Sequence, residues 1–228
     1  GAGLLLRDMP QAKVVVHHKG AKYMANPAKL MAGMIAALGE ETLVTWGEMV
    51  PIEWHRLQAI QDNDTIKLSD GQVLRFIDAP GHAPHELCIY ESRSSGVFTG
   101  DAAGAYVNGI LVPVTPLPDF DLELSINTLR RLIKLNATTI YFSHFGTSDK
   151  VQELLQLNID RLQLWGDMVV RAAMDNELDS VGERMVAQVF SGLDAAREME
   201  SLIENFIKDV ILGNAAGYVK YYQEKLGR

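Results

Sequence analysis

The stretch Ile77-Asp78-Ala79-Pro80-Gly81-His82-Ala83-Pro84-His85-Glu86-Leu87-Cys88-Ile89-Tyr90 decides how the chain is read, together with its continuation Val97-Phe98-Thr99-Gly100-Asp101. Two apolar runs each end beside a glycine and then deliver a metal-capable side chain: His82 after Pro80-Gly81, and Asp101 after Gly100. A third apolar run, residues 139–142, leads to His144 in Ser143-His144-Phe145-Gly146. A buried strand is stiff, so a side chain just past its end is held in place, and glycine beside it permits a sharp turn and a close approach. Imidazole nitrogen and carboxylate oxygen are donors that zinc, iron and manganese accept. Three such residues at three strand ends are expected to converge on one rim of a sheet.

Outward from this stretch, residues 65–68 and 72–77 flank Ser69-Asp70-Gly71 and read as a β-hairpin, and residues 87–90 and 97–99 as the next pair. Upstream, residues 1–9 read as a short helix. Residues 12–18 read as a buried strand carried by Val14, Val15 and Val16. The adjacent His17 and His18 would face opposite sides of such a strand, in structural or surface roles. Asn26-Pro27 starts a helix through Leu30, Met31, Met34, Ile35 and Leu38, closed by Gly39. Residues 40–54, with Trp46, Met49 and Trp54, are expected to form a flap near a pocket, and His55 is a surface histidine. Downstream, the proline-rich residues 113–118 read as a pocket wall. Residues 119–121 cap a helix through Leu124, Leu129, Leu132 and Ile133. From residue 148 the pattern is helical: one long helix through Leu154, Leu155, Ile159, Leu162, Met168 and Val169, then helices near 181–190, 195–211 and 215–226.

The organisation expected is a mixed α/β domain over residues 1–149 with a C-terminal helical subdomain over 150–228, which covers the sheet, shapes a pocket or mediates dimer contacts. A formal charge of −8 excludes the basic footprint of a nucleic-acid-binding surface. The single cysteine, Cys88, excludes an internal disulfide framework and fits a reducing cytoplasm, and its apolar strand makes it a packed thiol. No apolar run approaches the roughly 18 residues of a membrane span. The partner expected is a small-molecule substrate.

The order Pro80-Gly81-His82, Thr99-Gly100-Asp101, Ser143-His144-Phe145-Gly146 resembles the metallo-β-lactamase superfamily of αβ/βα metallohydrolases, most closely its small hydrolases of the glyoxalase II and lactonase type. The resemblance implies a four-layer αβ/βα sandwich and two divalent metal ions, zinc foremost, with iron or manganese as alternatives. It implies a bridging water, deprotonated near neutral pH, that attacks a small ester, thioester or lactone. Carried over by position, His82 binds the first ion, Asp101 bridges both, and His144 binds the second. Tyr106 either lines the site, its phenol donating to a developing oxyanion, or is a packed aromatic. His85 either supports a ligand by hydrogen bonding or lies at the surface.

The family carries most of its ligands on an earlier His-x-His-x-Asp-His motif, which these 228 residues lack. Gly1-Ala2-Gly3-Leu4-Leu5-Leu6 resembles the stretch that follows that motif, so the chain is expected to begin just downstream of it. Loss of the strands before it would leave an open sheet edge that favours a homodimer. Each ion would keep two protein ligands, and metal binding is expected to be weak. Two alternatives accompany the hydrolase reading: a flavodiiron-like oxidoreductase module, and a non-catalytic member of the fold.

Overall fold

The computed structural model describes residues 1–40, 44, 47–115, 119–144, 146–191 and 201–226. Trp46 of the expected flap, residues 116–118 of the proline-rich wall, and residues 195–200 of the expected third C-terminal helix lie outside the described residues. The chain forms two compact units, Gly1–Asp62 and Asn63–Arg228.

The first unit runs α1 (Ala2–Asp8), β1 (Val14–His17), α2 (Ala21–Ala25), α3 (Ala28–Leu38), a single 3-10 turn and β2 (Leu57–Ile60). β1 and β2 pair in parallel, with Val14 opposite Leu57. Arg56, just before β2, donates from Nε to the Ala12 carbonyl and from Nη2 to the Met9 carbonyl, both at 2.7 Å, and so ties the α1–β1 link to β2. α3 starts where Asn26-Pro27 directs it: Asn26 Oδ1 accepts the Ala28 N–H at 3.2 Å.

Two expectations for β1 need correction. The valine run is not buried on both faces, since Val14 and Val16 are half-buried and Val15 is exposed. His17 and His18 do not point to opposite faces, because β1 stops at His17 and the chain turns there. Their rings stack, with centroids 4.3 Å apart. His17 is buried, its Nδ1 accepting the Lys19 N–H at 3.0 Å, while His18 stays exposed.

In the second unit one sheet carries β3 (Thr65–Lys67), β4 (Val73–Asp78), β5 (Leu87–Glu91), β6 (Gly96–Phe98), β9 (Thr139–Phe142) and β10 (Gly146–Ser148). Their spatial order is β10-β9-β6-β5-β4-β3, and β7 (Ala105–Val107) with β8 (Ile110–Val112) forms a separate hairpin. Its turn, Asn108-Gly109, has φ of 49° and 73°, the twin positive values of the tight hairpin turns that Asn-Gly favours.

The helices are α4 (Leu122–Ile133), α5 (Val151–Met174), α6 (Val181–Ser191) and α7 (Ser201–Leu226). Asp121 caps α4, its Oδ1 accepting the Leu124 N–H at 2.9 Å. The break expected between residues 211 and 215 does not occur, and α7 runs unbroken through Gly213-Asn214. Ile207, Ile211, Asn214, Ala215, Tyr218 and Tyr221 are all buried, a stripe at helical spacing that holds both halves in one register. Ile77, Cys88, Val97 and Ile140 of the sheet share one core with Leu129 and Leu132 of α4, Leu155, Ile159, Leu162 and Trp165 of α5, Met185 of α6, and Ile207, Ile211 and Tyr218 of α7. No described helix is long and apolar enough to cross a membrane.

Strand direction positions the site. β4 is antiparallel to β5, β5 is antiparallel to β6, and β6 is parallel to β9. β4, β6 and β9 therefore run the same way, and their C-terminal ends share one edge of the sheet. These are the strands that precede His82, Asp101 and His144.

Candidate metal centre

At that edge the three predicted residues meet. His82 Nε2 lies 3.6 Å from Asp101 Oδ2, and His144 Nε2 lies 3.2 Å from Asp101 Oδ1. The carboxylate thus presents one oxygen to each imidazole. Its Oδ1 is buried and has no hydrogen-bond partner among the described residues. A desolvated carboxylate oxygen faced by an imidazole nitrogen is a place where a cation can be held. Two imidazoles around a shared carboxylate are a donor set suited to zinc, iron or manganese. No group of three His, Cys, Asp or Glu side chains among the described residues closes on a single ion. The arrangement is two pairs with Asp101 in common.

The His82 loop is fixed by contacts with α4. The Asp121 N–H donates to the Gly81 carbonyl at 2.8 Å, Thr128 Oγ1 to the Pro80 carbonyl at 2.7 Å, and Arg131 Nη1 to the Asp78 carbonyl at 3.1 Å. Gly81 has φ of 137°, and a Cβ there would run into the Ser125 backbone. Only glycine lets the loop lie this close to the helix. On its far side the His82 ring meets the protein again, with Nδ1 3.2 Å from the Val114 carbonyl oxygen.

The Asp101 turn rests on Glu86, whose Oε1 accepts the Asp101 N–H at 3.1 Å. Gly100 has φ of 55°, and a Cβ there would strike the Glu86 carboxylate. Burial raises the Glu86 carboxyl above the usual carboxylate range, with the Asp101 charge adding to the rise, while His82 and the Asp101 N–H oppose it. The sequence reading passes over Glu86. The signal for it was a carboxylate at the entrance to an otherwise apolar strand, four residues after His82.

The remaining candidates fall around this centre. His85 is half-buried, and burial holds its imidazole below the ordinary histidine range, reinforced by His82 and opposed by Asp119. The Tyr106 ring stacks on Phe142 with centroids 5.2 Å apart, and its N–H donates to the His144 carbonyl at 3.1 Å. Cys88 is fully buried, its thiol donating to the Thr99 carbonyl at 3.3 Å and pushed far up by burial, so it carries no thiolate chemistry. His55 is exposed beside Glu53.

Residues 1–144 match the family described as the metallo-beta-lactamase superfamily. Over 174 residues the chain is 31% identical to a metallo-beta-lactamase fold-containing protein of Sulfurisphaera tokodaii, covering 69% of this chain and 65% of that protein. It is 25% identical over 172 residues to an atrochrysone carboxyl ACP thioesterase of Aspergillus fumigatus, covering 75% of this chain and 50% of that protein. The chain thus spans 65% and 50% of the lengths of these curated relatives. In structure it is similar to the crystal structure of an archaeal metallo-beta-lactamase superfamily protein from Sulfolobus tokodaii, with a TM-score of 0.68 at 22% identity over 93% of this chain and 72% of that one. That likeness is one of fold.

Proposed function

Since this chain belongs to the metallo-beta-lactamase superfamily, we propose that it is a metal-dependent hydrolase of a small ester, thioester or lactone, with His82, Asp101 and His144 holding divalent cations. The observation that carries this reading is the approach of two imidazole Nε2 atoms to opposite oxygens of one carboxylate, whose Oδ1 is buried without a hydrogen-bond partner among the described residues. Divalent cations in such a site supply Lewis acidity and lower the pKa of bound water.

The chain's own residues set the stage for that chemistry. Asp101 supplies the negative charge shared by the two halves. Glu86 holds the turn that presents it, and the Gly81 loop brings His82 to it. The backbone N–H of Tyr106 anchors the peptide of His144. A role for the Tyr106 phenol at a developing oxyanion is tested by Tyr106→Phe, which would lower kcat and leave KM unchanged. The Aspergillus relative is named a thioesterase, which makes a thioester the first substrate to try.

The test is calorimetric titration with zinc, manganese and iron(II), beside turnover of a thioester, a p-nitrophenyl ester and a lactone with each metal. Metal-dependent hydrolysis that disappears in Asp101→Asn supports the reading. Metal binding without turnover of any substrate turns it toward a non-catalytic member of the fold. Absence of both overturns it.

A further inference from the structure

The Val114 carbonyl that meets His82 is not placed by its own hairpin alone. It belongs to the Val114–Thr115 peptide, and the residues on either side of Val114, Pro113 and Thr115, are both bonded to one side chain of the C-terminal helix. Asn214 Oδ1 accepts the Thr115 N–H at 2.8 Å, and Asn214 Nδ2 donates to the Pro113 carbonyl at 2.6 Å. The orientation of the amide is forced, since a peptide N–H can only donate and a carbonyl can only accept. Thr115 Oγ1 adds a bond to the Asn214 carbonyl at 3.1 Å. Asn214 is 4% exposed and Thr115 1%, so no water competes for these bonds.

Next along the chain of contacts is the imidazole. A carbonyl oxygen has no proton to give, so the 3.2 Å approach of His82 Nδ1 is a hydrogen bond only when Nδ1 carries hydrogen. That bond turns Nε2 toward Asp101. In general, a partner on the second imidazole nitrogen fixes ring orientation and raises ligand basicity.

We propose that Asn214 is a positioning residue for His82. By clamping the peptides on both sides of Val114, it holds the carbonyl that receives the His82 Nδ1–H and so aims Nε2 at the shared carboxylate. This rests on the reading of His82 as a metal ligand. It also gives the C-terminal helix α7 a part in the site that its lack of ligand residues conceals. Asn214 interrupts an otherwise apolar buried stripe because its amide, unlike any apolar side chain, can satisfy both peptides.

The test has one arm without metal and one with it. In the metal-free protein, a slowly exchanging His82 Nδ1–H cross-peak is expected in proton–nitrogen NMR spectra, identified by its absence in His82→Gln. Asn214→Ala removes it. Asn214→Asp, which keeps the acceptor for Thr115 and loses the donor to Pro113, weakens its protection if the alanine variant does not fold. Tyr218→Phe is the control: it deletes another buried bond of α7, the 2.9 Å donation from Tyr218 to the Leu162 carbonyl, and leaves the cross-peak in place. In the second arm, Asn214→Asp lowers cobalt(II) affinity about 10–100-fold, and has less than about twofold effect when His82 is already glutamine. No cross-peak in the wild type, a cross-peak unchanged in folded Asn214 variants, or an equal affinity loss in both backgrounds overturns the proposal. A wild-type chain that binds no cobalt sinks the metallohydrolase reading instead, and the first arm still decides the role of Asn214.

Discussion

His82 and His144 reach the same carboxylate from differently built surroundings. The His82 side chain is 16% exposed and the His144 side chain 48%. His82 sits in a loop bonded to α4 through Gly81, Pro80 and Asp78, and its ring meets the Val114 carbonyl. His144 leaves the end of β9 in a more open setting, its carbonyl receiving the Tyr106 N–H. The difference shows one site with a pre-set half and an accessible half. On the His82 side the protein itself fixes the ring orientation, and access from solvent belongs to the His144 side.

The largest effect expected is at the residue the halves share. Asp101→Asn keeps the shape but removes the charge. It is expected to lower metal affinity by more than the roughly 10–100-fold that follows removal of an outer partner, measured by calorimetry. A loss confined to one of two binding events would break the comparison, since it would mean that Asp101 serves one half only. Next in size is the contrast between the two glycines. Gly81→Ala places a Cβ against the Ser125 backbone at φ of 137° and is expected to destabilise by about 3 kcal/mol. Gly146→Ala, on the other side at φ of 149°, meets Tyr106 at 3.4 Å, ordinary contact, and is expected to cost about 1 kcal/mol from backbone strain alone. Urea unfolding of both variants ranks them, and equal losses would remove the claim that the His82 loop is the more tightly built.

These contrasts also show what the sequence could carry. The mixed α/β class was legible because hairpin turns such as Asp70-Gly71 and the apolar spacing of Leu129, Leu132 and Leu155 are local signals. The meeting of His82, Asp101 and His144 was legible because strands of one direction end at one edge. The β7–β8 hairpin is not among the expected elements although Asn108-Gly109 announces it, since strands as short as Ala105–Val107 and Ile110–Val112 carry little pattern of their own. Glu86 was marked only faintly, as a carboxylate at the entrance to an apolar strand, and the bond it accepts from the Asp101 N–H depends on the turn. The Val114 carbonyl is a backbone atom and leaves no mark in residue type. Gly213-Asn214 read as a helix end for the opposite reason: the local signal is genuine, but buried neighbours on both sides and tertiary bonds to Asn214 override it.

Accessibility gives a smaller effect. Diethyl pyrocarbonate should acylate His144 several-fold faster than His82, as followed by mass spectrometry of the peptides, because the reagent needs an open imidazole. Comparable rates would mean that the His82 loop opens in solution more readily than its bonds to α4 imply. Addition of zinc should slow both reactions, most visibly at His144.

The smallest effect is expected at the opposite end of the sheet, where it serves as a measure of how local the support is. In the β5–β6 turn, the Glu91 carboxylate accepts from Ser94 Oγ, from the Arg93 N–H and from the Ser94 N–H. The Ser94 hydroxyl, followed by the Arg93 N–H, holds this carboxyl down to about 2. The folded value lies below the unfolded one of about 4.3. Its stabilisation is therefore complete above about pH 4.3 and is lost as pH falls toward about 2. Glu91→Gln should be less stable than the wild type at neutral pH, with the gap closing through that acid window in urea unfolding series. Metal affinity should not move, because Glu91 ends β5 at the edge opposite the one where Leu87 begins it beside Glu86. A change in metal affinity would mean that the turn and the rim are coupled through the strand, and the contrast between the two histidines would then belong to the whole sheet rather than to the contacts immediately around each.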